Sequence, residues 1–208
     1  MSYVKDIYLV RHGETDCNRM GIVQGRGVNA PLNELGIRQA AAFFRRYHQI
    51  PFDMIYTSLL QRTAQTVAPF TNLGIPSEAY GGLDEISWGD FEGKFVSHSD
   101  RLGFHDMVAR WRGGEVHLAI DGGESPLDVV MRQKPVIDLI LSREDERNIL
   151  ICSHGRAMKI LLTQLMDKPL AQMDSYSHQN LGLYHIRLNV EGALHLEKQN
   201  CVLHLQPA

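Results

Sequence analysis

Residues 8–15 read YLVRHGET, in which Tyr8, Leu9 and Val10 run without a spacer into Arg11, His12, Gly13 and Glu14. A strand covered on both faces reads as a continuous apolar run instead of an alternating one. The first strand, expected over 5–10, has that form, and so do MIY within 53–57 and ILIC within 148–153. Strands are also expected over 182–188 and 193–199. Between these runs the spacing turns helical. A helix is predicted after Asn33, a good cap, with Ile37, Ala40, Phe44 and Tyr47 on its apolar stripe and a stop before Pro51. A second starts at Ser58, where Ser58 and Gln61 have the spacing of a capping box. Others fall at 125–141 and 156–166, the latter lining up Ala157, Ile160, Leu161 and Leu165. This alternation predicts an α/β fold, a three-layer α/β/α sandwich on a mostly parallel sheet, with a segment of about 92–122 inserted as a lid.

The 208 residues fit one domain, 1–208, since no repeat, low-complexity tract or Pro/Gly/Ser linker divides them. With 44% hydrophobic and 22% charged residues the chain has the composition of a folded globular protein. A net charge of −3 provides no general attraction to nucleic acid or acidic lipid, and neither is expected as a partner. An anionic ligand must therefore be held by a local basic cluster. Lys5 and Asp6 interrupt the apolar run in MSYVKDIYLV, which argues against a signal peptide, and no apolar stretch is long enough to span a bilayer. A cytoplasmic location is expected. Cys17, Cys152 and Cys201 are odd in number, widely spaced and read as free thiols. His98, His105, His117, His178, His185, His195 and His204 lack ligand-like spacing, and His48 falls on the polar side of its helix, so no metal site is expected.

In open α/β sheets, ligands bind beyond the carboxyl ends of the strands. Arg11, His12 and Gly13 follow the first strand. MIYTS leads into a helix with Arg62 in its first turn, and ILICS leads into His154, Gly155 and Arg156. A single strand-end His-Gly is commonly a turn, and a single helical arginine is commonly solvated. Two histidines and two arginines converging on one sheet edge form instead a cradle for an oxyanion.

Taken together, RHGETDCN, TSLLQRTAQT, GLDEISWGDFEG and ICSHG resemble the histidine phosphatase superfamily, also called the phosphoglycerate mutase-like family. The resemblance runs from residue 5 to His204 and Leu205. It implies that His12 is a nucleophile forming a phosphohistidine. Such a ring needs one bare nitrogen, with the other donating to a fixed acceptor, and the Arg-His-Gly turn supplies backbone carbonyls for that. Arg11, Arg62 and His154 would neutralise the phosphoryl oxygens, with Asn18 as an uncharged donor and Gln24, Gly25 and Gly155 as further phosphate-binding positions. Glu85 matches the general acid, with Asp84 as its rival, while Glu14 and Asp16 read as structural or substrate-orienting. No cofactor or metal is implied.

Three functions remain open: a phosphomonoesterase acting on a small phosphorylated metabolite, a mutase, or a noncatalytic phospho-ligand module. Between Lys94 and Asp121, Lys94, Arg101, Arg110 and Arg112 balance Asp100, Asp106, Glu115 and Asp121, a neutral lid that disfavours a multiply charged intermediate. VQGRGVNAPLNELG also looks like the phosphatase branch, and the intact site set argues against a noncatalytic module. Phe95, Phe104, Met107 and Trp111 could form a packed cluster or an apolar substrate wall. Ser125 in DGGES reads as a helix cap more readily than as a substrate contact. Substrate identity and oligomeric state are not encoded in any motif.

Overall fold

The computed structural model describes residues 2–95 and 98–206. Six strands, β1 (Tyr3–Arg11), β2 (Met54–Thr57), β3 (Ser77–Ala79), β4 (Asn148–Ser153), β5 (Leu183–Asn189) and β6 (Leu194–Cys201), form one sheet in the order β3-β2-β4-β1-β5-β6. The pairs β3-β2, β2-β4 and β4-β1 are parallel, whereas β1-β5 and β5-β6 are antiparallel. Only β5 therefore runs against the rest. The parallel half brings the carboxyl ends of β1, β2 and β4 together, and the Arg11↔Ser153 register places His12 and His154 side by side.

Successive side chains of a strand face opposite sides, which builds the layers. Ile7, Leu9, Ile149 and Ile151 face a core completed by Val136, Ile137 and Ile140 of α5 (Pro126–Ser142) and by Met158, Leu161 and Leu162 of α6 (Gly155–Leu165). Val10, Ile55, Leu150 and Cys152 face a second core. There Phe43 and Tyr47 of α2 (Glu34–Tyr47) meet Val67 and Phe70 of α3 (Gln61–Thr71). The expected three-layer sandwich is the observed architecture, and the strands at 5–10, 53–57, 148–153, 182–188 and 193–199 all form to within a few residues.

Two local expectations fail for tertiary reasons, and one edge strand goes unannounced. Ser58 does not cap α3: the helix starts at Gln61 behind Leu60, and Gln61 N donates instead to Asn29 Oδ1 at 2.8 Å, a cap supplied from another loop. On α2 the buried stripe is Gly36, Ala40, Phe43 and Tyr47, leaving Ile37 exposed and Phe44 half-buried. The helix is rotated because Gly36 lies directly on the chain at Glu14, where a Cβ would come within 2.1 Å of the Glu14 carbonyl oxygen. Gly13 meets Gly36 from the other side, 2.7 Å from its oxygen in the same sense. The short edge strand β3 has the sequence SEA and no apolar run to announce it. By contrast, Ser125 does form a capping box with Asp128 at the start of α5.

The segment expected as a lid contains α4 (His98–Arg112); its residues 96–97 lie outside the described residues. Trp111 is fully buried in a third cluster with Ile86, Trp88, Val108, Val129, Ile160 and Met173, and Phe104 and Met107 pack against it. Phe95 is exposed. Packing thus anchors α4 to the sandwich through its tryptophan. Among the described residues no helix is long and apolar enough to cross a membrane, and all three cysteines are free.

Candidate active site

At the end of β1 the backbone of His12 donates to Ser153 O at 3.0 Å, which locks the RHG turn to the end of β4. Gly13 N donates to Thr66 Oγ1 at 2.9 Å, tying the same turn to α3. The His12 ring lies in this corner with Nδ1 2.7 Å from Gly13 O, so Nδ1 carries the proton and Nε2 is left bare. The ring is buried. Burial first, then the Arg11 and Arg62 charges, push its pKa well below the ordinary histidine value, against an opposing contribution from the Gly13 hydrogen bond. His12 is thereby an aimed free base.

His154, at the amino-terminus of α6, has its ring centroid 5.1 Å from that of His12. Its Nδ1 accepts from Arg62 Nε at 3.1 Å, and its Nε2 lies 2.8 Å from Ser58 Oγ. Those partners put the proton on Nε2. Burial, followed by the charge of Arg62, holds the imidazole well below its ordinary pKa. With Arg62 donating to Nδ1 and Ser58 facing Nε2, the neutral form is favoured. Ser58, expected as a helix cap, serves instead as its ring partner.

Arg62 is completely buried. It donates through Nη1 to Val28 O at 2.7 Å and through Nη2 to Gly25 O at 3.4 Å. Gln24 turns its amide oxygen to Arg62 Nε and Nη1, at 2.9 and 3.1 Å, and its amino group to Thr15 Oγ1. Burial lowers the guanidinium to about 10, still charged at neutral pH. Arg11 donates through Nη1 toward the ring and carbonyl of His178, both at 3.3 Å, and its Nε is buried without a partner among the described residues. That orphaned donor points to an anion as its natural partner.

Glu85 is buried against the start of α6: its Oε1 accepts from Ile86 N at 2.9 Å and Ala157 N at 2.8 Å, its Oε2 from Arg156 N at 3.1 Å. Asp84 points elsewhere, to Leu59 N at 2.9 Å and Arg26 at 3.4 Å. Asn18 accepts from Thr15 N and from Asn180 Nδ2, both at 3.2 Å, so its own amino group is the end left to donate. Glu14 takes the Asn33 amide at 2.9 Å, and Asp16 pairs with Arg19 at 2.9 Å, both structural contacts.

A cavity of about 220 Å³ opens over this corner. Arg11, Asn18, Gln24, Glu85 and Gly155 line it together with His178, Arg156, Ile22, Val23, Trp88 and Phe104. His12, Arg62, His154 and Gly25 are not among the lining residues: the two rings and the Arg62 guanidinium are buried in the corner next to it, and the Gly25 carbonyl supports Arg62. His178 and Asn180 lie in no motif of the sequence and reach the site only through folding, whereas Ser58 and Trp88 sit inside TSLLQRTAQT and GLDEISWGDFEG without a role that those motifs announce. Arg156, adjacent to the expected His154 and Gly155, sits over the rings of Trp111 and Trp88 and pairs with Asp174 at 2.8 Å. Burial followed by the Arg11 charge keeps His178 neutral, at about 3. Among the described residues no three His, Cys, Asp or Glu side chains cluster closely enough to hold a metal ion.

The arrangement provides an unprotonated imidazole, guanidinium donors, a carboxylate across the cavity and an apolar outer wall. A family model described as histidine phosphatase superfamily (branch 1) matches residues 7–201. The chain is 32% identical over 172 residues to a Caenorhabditis elegans 6-phosphofructo-2-kinase/fructose-2,6-bisphosphatase, covering 81% of this chain but 36% of that longer protein. It therefore spans about a third of that relative. It is 28% identical over 189 residues to a putative phosphoserine phosphatase 2 of Hydrogenobacter thermophilus, with 90% and 92% of the two chains covered. The solved α-ribazole phosphatase of Shigella flexneri superposes with a TM-score of 0.82 at 25% identity, covering 95% of this chain and 96% of that one. Because that family model spans nearly the whole chain, residues 7–201, this chain belongs to branch 1 of the histidine phosphatase superfamily.

Proposed function

We propose that the chain acts as one domain, 1–208, that hydrolyses a small phosphate monoester through phosphorylated His12. The observation that carries this reading is the His12 ring itself, anchored through Nδ1 on Gly13 O and held unprotonated between two arginines. His12 Nε2 attacks phosphorus as the bond to the leaving oxygen breaks, and Glu85, as general acid, delivers a proton to that oxygen. Water then attacks the phosphorus of phosphohistidine, Glu85 takes a proton from the water, and phosphate leaves with His12 restored. Arg11, Arg62 and Asn18 hold the equatorial oxygens. Burial and then the arginine charges keep His154 neutral, and a bound phosphoryl dianion offsets those charges, so His154 can protonate as the transition state forms. Gln24 and Gly25 support Arg62, and Gly155 leaves room beside His178.

The leaving alcohol lies along Ile22, Val23, Trp88 and Phe104, which suits a substrate with an uncharged, partly apolar remainder. A second phosphate would find Arg156 as the remaining cation of the lining, already paired with Asp174. A phosphatase outcome is therefore favoured over mutase transfer. The odd number of free cysteines supports the cytoplasm as its compartment.

The test is a panel of phosphate esters, including 3-phosphoglycerate with bisphosphoglycerate, followed in parallel for free phosphate and for isomerised product. Phosphate release without any bisphosphate primer is expected, and it should survive excess EDTA because guanidinium and imidazole groups supply the positive charge. Loss of turnover on chelation, restored by a divalent ion, would overturn the metal-free mechanism; isomerisation outrunning release would overturn the phosphatase reading. Glu85→Gln should slow alkyl esters far more than activated aryl esters, whose leaving groups need no proton. Equal losses on both would remove Glu85 from the acid role.

A further inference from the structure

We infer that Glu92, outside the phosphate cradle, is a positioning residue that holds the Arg62 clamp and the Glu85 turn in register. The inference rests on the function proposed above. The half-buried Glu92 carboxylate joins two segments. Its Oε2 accepts from Gly27 N at 2.8 Å, and its Oε1 accepts from Trp88 N at 2.8 Å and Ser87 Oγ at 3.1 Å. The first segment is the loop whose Gly25 and Val28 carbonyls grip Arg62 and whose Gln24 meets the same guanidinium. The second follows Glu85 directly in the chain and includes Trp88 of the cavity wall. One carboxylate thus ties the phosphate-binding arginine to the proton donor.

The glycines of QGRG follow from this contact. A Cβ on Gly25 would lie 2.0 Å from Glu92 Oε1, and one on Gly27 2.4 Å from Oε2. At Gly27 every heavy atom within 4 Å of that Cβ position belongs to Glu92. The two positions therefore form a closed pair: a methyl group on Gly27 conflicts with Glu92 alone. Glutamine at 92 keeps the shape but points an amino group at one of the two backbone donors, so it can satisfy one segment and not both.

The experiment is a double-mutant cycle of Glu92→Ala and Gly27→Ala, with Glu92→Gln as the milder variant, read as kcat per active site, thermal midpoint and inhibition by inorganic phosphate. Glu92→Ala is expected to lower kcat by about tenfold or more and to weaken phosphate inhibition, since Arg62 loses its fixed frame. Gly27→Ala should reproduce the loss in the parent protein but add nothing in the Glu92→Ala background. Should Glu92→Ala not fold, Glu92→Ser, which also removes the carboxylate that the added methyl group would meet, takes its place, again with no further loss on adding Gly27→Ala, whereas Glu92→Gln keeps the shape and should still be worsened by Gly27→Ala. A lowered thermal midpoint with unchanged kcat and phosphate inhibition would overturn the inference, as would effects of the two substitutions that simply multiply. If the parent protein hydrolyses no ester, the proposed function falls; inorganic phosphate binding, measured directly, still decides the role of Glu92, with unaltered binding in the variants overturning it.

Discussion

His12→Ala abolishes phosphoryl transfer, with a fall in kcat of roughly 10⁴-fold or more as expected for removal of a covalent nucleophile. No second group can take over: the neighbouring imidazole of His154 has Nδ1 on Arg62 and Nε2 on Ser58, so neither nitrogen is bare and aimed. The same substitution cannot be rescued by a better leaving group, because the missing step is bond formation to phosphorus. Rapid quench with radiolabelled ester should trap an acid-labile phosphoenzyme in the parent protein and none in the variant. A His12→Ala protein that still forms phosphoenzyme would move the nucleophile elsewhere. The trapped species also reports on its acceptor: in the parent it should decay to free phosphate at a rate unaffected by added 3-phosphoglycerate. A long-lived phosphoenzyme discharged mainly by that acceptor would make the protein a mutase while leaving His12 in place.

Arg62→Ala should cost on the order of 3 kcal/mol of transition-state stabilisation, the size expected for losing one strong preorganised donor to a developing oxyanion. Its second consequence is structural. The fully buried guanidinium satisfies Val28 O, Gly25 O and His154 Nδ1, and removing it leaves these acceptors without a donor, at about 1–3 kcal/mol each where no water enters. Arg62→Lys should recover little, since a single ammonium cannot reproduce the fork that meets both loop carbonyls and the ring. The pH dependence gives an independent reading with a definite sign. Burial is the largest cause lowering both histidines and remains in the variant, but the Arg62 charge is among the other causes for each. Removing it makes protonation easier, so His12 is lost as a nucleophile at a higher pH and the acid limb of kcat/KM moves up. A near-parental enzyme, or an acid limb that moves down, would show that the charge cradle is misassigned.

Much of this site could be read from local sequence because its chemistry sits at strand ends. Arg11 and His12 follow a continuous apolar run, as His154 follows another, and a parallel pairing of those two runs is enough to bring the rings together. Ser125 was equally legible, since a capping box needs only its own four residues. Other features depended on partners far along the chain. Asn29 caps α3 in place of Ser58, and Gly36 rotates α2 by resting on Glu14, because an unsatisfied N–H or a close backbone approach is resolved by whatever folding brings near. Burial and the neighbouring arginine charges favour the neutral form of His154, an effect that no local motif carries.

From its residues alone this chain determined a sandwich on a mostly parallel sheet, the strand ends that carry its chemistry, and the two histidines and two arginines that meet there. Those follow from periodicity and from where apolar runs stop, both local properties. Only the tertiary structure decided which nitrogen of His12 is bare, that Glu85 rather than Asp84 faces the cavity, that Phe104 lines it while Trp111 anchors α4, and that Glu92 binds two loops into one frame. Each of these depends on distances and burial set by segments remote in the chain, and such quantities exist only once the layers have packed.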